Sequence, residues 1–191
     1  MKTREEALAL LHEHTETDSL RKHALAVEAV MRHFARRLGE EEELWGQTGL
    51  LHDYDYEQHP TPEEHPTWGC GLLRDRGWPD ELIQAILGHA EYTGVARETR
   101  LAKYLFACDE LTGLVTAVAL VRPNKSIHEV EVKSVRKKLK DKSFARTVNR
   151  DDVKKGFEEI GVPAEEHIAE VIAALRDVAD EVGLAGTVAG A

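Results

Sequence analysis

Cysteine is scarce in this chain, which contains only Cys70 and Cys108. The two lie far apart and match no zinc-binding spacing, so we expect reduced thiols. No apolar run approaches the roughly 18 residues that a membrane-spanning helix needs. The first residues are charged and amphipathic from Lys2 onward, which does not fit a secretory signal. Together these features predict a cytoplasmic protein without a membrane segment.

Positive charge is outnumbered, because 25 lysines and arginines face 35 aspartates and glutamates, for a net charge of −10. This balance argues against nucleic acid and anionic membranes as partners. A small phosphorylated substrate is still compatible, since a local cationic pocket can override the overall charge. The basic stretch KSVRKKLKDKSFAR, residues 133–146, is predicted to be a solvated helix face followed by a loop. Guidance of an anionic substrate, or a subunit contact in a homodimer, are the alternatives for it.

Strand-type alternation, internal repeats and low-complexity segments are also absent from the sequence. Apolar residues recur at three- and four-residue spacing nearly throughout, which predicts an all-α fold. We expect a helical core over residues 1–122, a C-terminal helical extension over 123–182 packed on the core, and a flexible tail over 183–191. Helices are predicted over residues 4–14, 18–38, 41–52, 66–76, 81–88, 98–121 and 151–160, with another in the basic stretch. A last helix is predicted from 163, with an apolar stripe that continues to Val182.

Two histidines and two aspartates stand in apolar surroundings: His23, His52, Asp53 and Asp109. Burying a charged carboxylate is costly unless it is paired, and a metal ion is one such partner. Two imidazoles and two carboxylates suit octahedral Mn, Fe, Mg, Ni or Co better than a thiolate zinc site. Taken singly, each residue has an ordinary alternative, namely a core histidine, a lone salt bridge or a helix-end contact.

Other polar residues are candidates for supporting roles. Asp55 and Glu57 could orient water or a metal-bound group, with a solvated loop as the alternative. Lys103, Arg122 and Lys125 could hold phosphoryl oxygens, with plain surface charge as the alternative. Cys108 is predicted to be a small buried apolar group. Six further histidines belong to no motif and are predicted to lie on the surface: His12, His14, His33, His59, His128 and His167.

The order His23, His52-Asp53, Asp109 resembles the H…HD…D signature of the HD-domain superfamily of metal-dependent phosphohydrolases. The segments HPTWGCGLL, ILGHAEYTG and LAKYLFACDELTG resemble further motifs of its HDIG-type branch, and the resemblance covers roughly residues 20 to 122. The whole chain also resembles a group of short predicted HD hydrolases, down to VALVRPNKS and VEVKSVRKK. The chain departs from the branch pattern in two places: Ala90 replaces one of two paired histidines, and Tyr56 stands where a lysine often follows.

The resemblance implies a helical bundle in which His23, His52, Asp53 and Asp109 bind one divalent ion (Mn, Fe, Mg, Ni, Co or Zn). A second ion is implied at His65 and His89, with Asp53 bridging. The implied activity is hydrolysis of a phosphoester, of a nucleotide or other small phosphorylated metabolite, by a metal-activated water in which Asp53, Asp55 and Lys103 take part. The alternatives are a two-iron oxygenase and a regulatory module that binds nucleotide or metal without turnover.

Overall fold

The computed structural model describes residues 2–187, and within that range the chain is all-α, as predicted. Its contacts divide it into two compact units, Met1–Phe106 and Ala107–Ala191, and the division falls within the helix Arg100–Leu120. Short 3-10 turns cover Glu91–Thr93 and Ile127–Glu129. The helices in the described residues are α1 Arg4–His14, α2 Asp18–Leu38, α3 Glu42–Leu51, α4 Thr67–Asp75, α5 Asp80–His89, α6 Arg100–Leu120, α7 Val132–Lys140, α8 Arg150–Ile160 and α9 Ala164–Asp177.

Local signals set the helix ends. Thr3 and Glu6 form a capping box at the start of α1, in which each side chain satisfies a backbone N–H of the other residue. Gly39 and Gly161 follow α2 and α8 with φ of 70° and 67°, a left-handed conformation that glycine adopts without strain. The boundaries predicted for α1 to α6 and for α8 agree with the structure to within about two residues. The last helix, α9, ends at Asp177, five residues before the Val182 that its predicted stripe includes.

In the first unit, α2 and α3 pack closely because a glycine of α3 faces the backbone of α2. A Cβ on Gly49 would come within 2.8 Å of the carbonyl oxygen of Val27. Such a contact is shorter than van der Waals packing permits, so only glycine fits at this crossing. The close approach matters for function, since α2 carries His23 and α3 ends beside His52.

A buried ionic network ties the first three helices together. Glu28 of α2 is buried and accepts hydrogen bonds from Arg4 of α1 at 2.6 and 2.9 Å and from Arg32 at 2.9 Å. Arg32 also donates to both carboxylate oxygens of Glu43 on α3, at 2.6 and 3.0 Å. A buried carboxylate is tolerated here because two guanidinium groups pair with it.

The second unit is organised around the apolar stripe of α9. Ile168, Val171, Ile172 and Leu175 are buried, as their spacing predicts. His167 on the same helix is also buried, so its predicted surface location is wrong. Its Nε2 lies 3.2 Å from the Ala107 carbonyl oxygen, and burial lowers its pKa to about 4.

The start of the predicted tail is held in place. Leu184 is buried, its carbonyl accepts from Ile127 N at 2.8 Å, and Thr187 N donates to the Asn124 carbonyl at 2.8 Å. The predicted tail therefore includes one buried side chain, that of Leu184. Residues 188–191 lie outside the described part of the chain. The domain boundary near residue 122 stays a prediction.

Candidate metal centre

Three histidines of the first unit converge from the ends of three helices. His52 caps the C-terminus of α3, His65 lies two residues before α4, and His89 is the last residue of α5. Asp53 comes immediately after His52, in a turn. All three histidine side chains are nearly inaccessible, whereas Asp53 is 25% exposed. The carboxylate is thus the part of the cluster that solvent and a ligand can reach.

The Asp53 carboxylate is surrounded by imidazole nitrogens. Its Oδ1 lies 3.2 Å from His65 Nε2 and 3.3 Å from His89 Nε2. Its Oδ2 lies 3.4 Å from His52 Nε2. The two oxygens of one carboxylate therefore face different histidines.

The opposite nitrogen of each ring faces a hydrogen-bond acceptor. His52 Nδ1 lies 2.8 Å from the Gly49 carbonyl oxygen, and His89 Nδ1 contacts the Ile86 carbonyl oxygen. His65 Nδ1 lies 2.8 Å from Asp55 Oδ1. Because carbonyl and carboxylate oxygens only accept, each Nδ1 must donate its hydrogen. Each Nε2 is then the nitrogen that faces Asp53, with a lone pair when the ring is neutral and as an N–H donor when it is protonated. An Nδ1 engaged in this way is the usual support for a metal-binding histidine.

Lone pairs facing carboxylate oxygens at 3.2 to 3.4 Å repel unless a cation lies between them. A proton on an Nε2 or a divalent ion can supply that charge. The donor set of imidazole nitrogens and carboxylate oxygens suits first-row divalent metals. The residues therefore fit a metal ion.

Two groups of three side chains, within the described residues, each place one potential ligand atom per residue within 4.8 Å of the others. The first consists of His23, His52 and Asp109, and the second of Asp53, His65 and His89. The rings of His23 and His52 also meet edge to face, with centroids 5.2 Å apart. Every residue that the sequence predicted as a metal ligand falls in one of these groups.

Comparison with known proteins agrees with this geometry. The family model described as HD domain matches residues 20–114. The chain is an HD-domain protein. Neither the curated proteins nor the solved structures gave a match. HD domains bind divalent metals and are mostly metal-dependent phosphohydrolases, so the coarse functional class follows from the family.

The six potential ligands, His23, His52, Asp53, His65, His89 and Asp109, are called the HD site below. Asp55 supports this site from behind His65. Its Oδ1 accepts from His65 Nδ1, and its Oδ2 accepts from the backbone N–H of Gly69 at 2.8 Å. Asp55 is buried and lies on the far side of the His65 ring from Asp53. This position favours an orienting role over the predicted catalytic one.

Glu57 is not directed toward the HD site. Its carboxylate accepts from the backbone N–H of Glu16 at 2.6 Å, from the backbone N–H of Thr17 at 3.2 Å, and from the Thr17 hydroxyl. These bonds, first that of the Thr17 hydroxyl, lower the pKa of Glu57. The prediction that Glu57 orients a water or metal-bound group is therefore wrong, because its carboxylate binds the segment that connects α1 and α2.

The predicted phosphate-binding cations are distributed over both units. Lys103 lies on α6 and is half-buried, six residues before Asp109. At about 100° per residue, these two positions are some 120° apart around the helix axis. Arg122 is half-buried and Lys125 exposed, in the segment after α6. Their parts in substrate binding stay predictions.

Among the histidines outside the HD motifs, His14 departs from its predicted surface location. It is buried, with its ring edge to face against Tyr54 and Trp68 at centroid distances of 5.4 Å. His12 and His128 are exposed, as predicted, and His33 and His59 are half-buried. Cys108 is fully buried, as predicted, and burial raises the pKa of its thiol well above the usual range.

Two exposed aromatic rings near the HD site were given no role by the sequence analysis. Tyr56 is 42% exposed and contacts the His65 ring edge to face at 5.3 Å. Tyr92 is 55% exposed, and its pKa is raised by partial burial and then by the charges of Asp53 and Asp55. Exposed tyrosines beside a buried polar site are suited to contact a ligand. Tyr56 and Tyr92 lie in the motif segments that also carry Asp53 and His89. That position was the sequence signal for their location near the site.

Protonation of His65 should compete with metal binding. In the metal-free protein burial favours a lower pKa for His65, but hydrogen bonds to Asp53 and Asp55 prevail and raise it to about 9. A metal must displace that proton, so affinity should rise by about tenfold per pH unit up to pH 9 and then level off. The stability of the metal-free protein should depend on pH in the opposite direction. The stabilisation that comes from the raised pKa of His65 is complete below about pH 6.5 and is lost as the pH rises toward 9.

Calorimetric titration with Mn²⁺ between pH 6 and 10, and thermal unfolding of the metal-free protein over the same range, measure these two trends. Asp55→Asn should move both transitions to lower pH because His65 loses one of its anionic partners. Glu64→Gln is the matched control, since Glu64 adjoins His65 in sequence and is exposed. An affinity independent of pH below 9 would contradict the assignment of His65 as a ligand.

Proposed function

We propose that this HD domain hydrolyses a phosphoester of a nucleotide, or of a similar small phosphorylated metabolite, with divalent metal. The observation that carries the proposal is the Asp53 carboxylate, shared by three imidazole Nε2 atoms whose opposite nitrogens are all engaged. Imidazole rings that are oriented in this way around one carboxylate are typical of a site that binds a metal cation.

We assign one ion to His23, His52, Asp53 and Asp109, and a second to Asp53, His65 and His89. Support comes from the two ligand groups and from the different histidines that face Oδ1 and Oδ2 of Asp53. The second group has one histidine fewer than the branch pattern, because Ala90 follows His89. We therefore expect the second ion to bind more weakly than the first.

A bound divalent ion supplies an acidified water as nucleophile and neutralises charge on the phosphoryl group. The chain supplies orientation: Asp55 holds the His65 ring, and the Gly49 and Ile86 carbonyls hold those of His52 and His89. Lys103, Arg122 and Lys125 are our candidates for the remaining phosphoryl oxygens. Fixed ligand rings keep the reacting groups aligned without reorganisation during the reaction.

The exposed rings of Tyr56 and Tyr92 favour a nucleotide over a plain phosphate ester. Stacking of a base on an aromatic side chain contributes about 1–3 kcal/mol. Both rings are accessible. Tyr56 contacts the His65 ring, and the charges of Asp53 and Asp55 help to raise the pKa of Tyr92. A substrate whose phosphate enters the metal centre could place its base against one of them.

A two-iron oxygenase is the second candidate, favoured by the paired ligand groups. It predicts two irons per chain and oxygen-dependent turnover, whereas a hydrolase works without oxygen. A binding module without turnover is disfavoured because all six ligand residues are present.

None of the helices in the described residues combines the length and hydropathy of a membrane span. Cytoplasmic location and a homodimer stay predictions of the sequence.

The test is a panel of nucleotides, sugar phosphates and glycerol phosphate, assayed for released phosphate with Mn, Co, Ni, Mg and Fe supplied separately. We expect hydrolysis that depends on added metal and a lower KM for nucleotides. Tyr92→Ala should raise the nucleotide KM by roughly fivefold or more, while Tyr92→Phe, which keeps the ring, should not. An equal rise for glycerol phosphate would contradict base stacking, and no hydrolysis with any metal would contradict the proposed reaction.

A further inference from the structure

The second unit contains a cavity of about 610 Å³. Six of its lining residues are cationic, and Asp151 is the one acidic residue among them. This composition opposes the net charge of −10 of the whole chain. The cationic residues are Arg136, Lys140, Lys142, Arg146, Arg150 and Lys154.

Three of these cations are already engaged. Arg136 pairs with Glu165, Lys154 lies 3.1 Å from Asp151, and Arg150 donates to backbone carbonyls. Lys140, Lys142 and Arg146 are exposed and have no acidic partner within the described residues. Three like charges gathered without counterions create a positive potential, which an anionic ligand would relieve.

The loop that carries Lys142 and Arg146 is fixed by Arg150. Its guanidinium donates to the carbonyl oxygens of Ala145 at 2.6 Å, Val148 at 2.8 Å and Asp141 at 3.2 Å, and also to that of Phe144. One planar side chain therefore binds four carbonyls over residues 141–148. This arrangement fixes the backbone that carries Lys142 and Arg146 before a ligand arrives, so less loop entropy is lost on binding.

Asp141, which lies between Lys140 and Lys142 in sequence, is engaged with other groups. Asp141 accepts from the backbone N–H and hydroxyl of Ser143 through Oδ1, and from Lys138 at 3.1 Å through Oδ2. The first N–H groups of α8 are engaged as well, since Asn149 Oδ1 accepts from Asp151 N and Asp152 N. The side-chain cations, rather than the helix terminus, are thus the groups left for a ligand.

We propose that this cavity binds a small molecule with two or more linked phosphates, at a site separate from the HD metal ligands. Three unpaired cations exceed what a single phosphate needs, and the volume suits a metabolite-sized ligand. A nucleic-acid duplex would require a longer basic surface, and the acidic chain opposes one. Phosphate oxygens accept strong charge-assisted hydrogen bonds from Lys and Arg.

Binding of inorganic tripolyphosphate to metal-free full-length protein, measured by calorimetry, tests the proposal. The double variant Lys142→Gln/Arg146→Gln should weaken binding by about tenfold or more. Lys133→Gln/Lys137→Gln removes the same charge from α7 outside the cavity lining and should leave affinity within about twofold. Asp53→Asn should also leave affinity unchanged, which separates this site from the metal centre.

The inference would be overturned by no detectable tripolyphosphate binding, by equal weakening in both double variants, or by loss of binding in Asp53→Asn. Tighter binding of a double-stranded oligonucleotide than of tripolyphosphate would instead indicate a nucleic-acid surface and would also overturn it. Helical content of each variant, from circular dichroism, confirms that losses of binding do not arise from unfolding.

Discussion

Asp53→Asn should abolish retention of divalent metal and lower phosphoester hydrolysis by at least about 10³-fold, while the helices persist. The carboxylate faces three Nε2 atoms, so the amide leaves both proposed ions without their shared anionic ligand. A bound metal stabilises the transition state by several kcal/mol. Losing about 4 kcal/mol of that stabilisation lowers the rate by about 10³-fold. The amide matches the carboxylate in size, so packing should survive.

Metal per chain after dialysis, measured by mass spectrometry, and phosphate release together measure this effect. Thermal unfolding with and without Mn²⁺ adds a second readout, since a ligand that binds only the native state raises Tm. Asp75→Asn is the matched control because Asp75 is exposed at the end of α4. Unchanged metal content in Asp53→Asn would remove the basis for the proposed enzyme.

Much of the fold could be predicted because its determinants are local. The capping box at Thr3, the left-handed glycines after α2 and α8, and the prolines before α5 and α9 act through neighbouring residues. The ligand residues were also predictable, since a histidine or aspartate in an apolar stretch needs a partner. Resemblance to the HD family then connected residues far apart in the chain.

The loop after α3 could not be predicted in the same way. Asp55 and Glu57 are two residues apart in one acidic segment, yet Asp55 turns inward to His65 and Glu57 turns to the start of α2. Sequence spacing defines directions within a regular helix but not within a series of turns. The partners of these two carboxylates depend on tertiary structure.

The two misplaced histidines, by contrast, carried a readable signal. Ala7, Leu10, Leu11 and His14 recur at the spacing of one helix face, and all are buried. His167 lies four residues before Val171 on the buried face of α9. Both positions belong to apolar stripes, so periodicity outweighed the general preference of histidine for partly exposed sites.

Gly69→Ala should weaken the second metal site without touching a ligand. A Cβ on Gly69 would lie 2.6 Å from Asp55 Oδ2 and 3.0 Å from Tyr54 Cε1, so Asp55 must shift. Its hold on His65 Nδ1 then loosens, and loss of such support typically costs about 10- to 100-fold in metal affinity. Overpacking should also reduce the free energy of unfolding by about 1–3 kcal/mol.

Gly71→Ala on the same helix gives the matched comparison, because nothing lies within 4 Å of an added Cβ there. That substitution should leave metal affinity unchanged and stabilise α4 by roughly 0.5–1 kcal/mol, since alanine loses less backbone entropy than glycine. Calorimetric metal titration and urea unfolding of both variants separate the two effects. If Gly69→Ala kept full metal affinity, Asp55 would have no part in holding His65, and the second site would depend on the ligands alone.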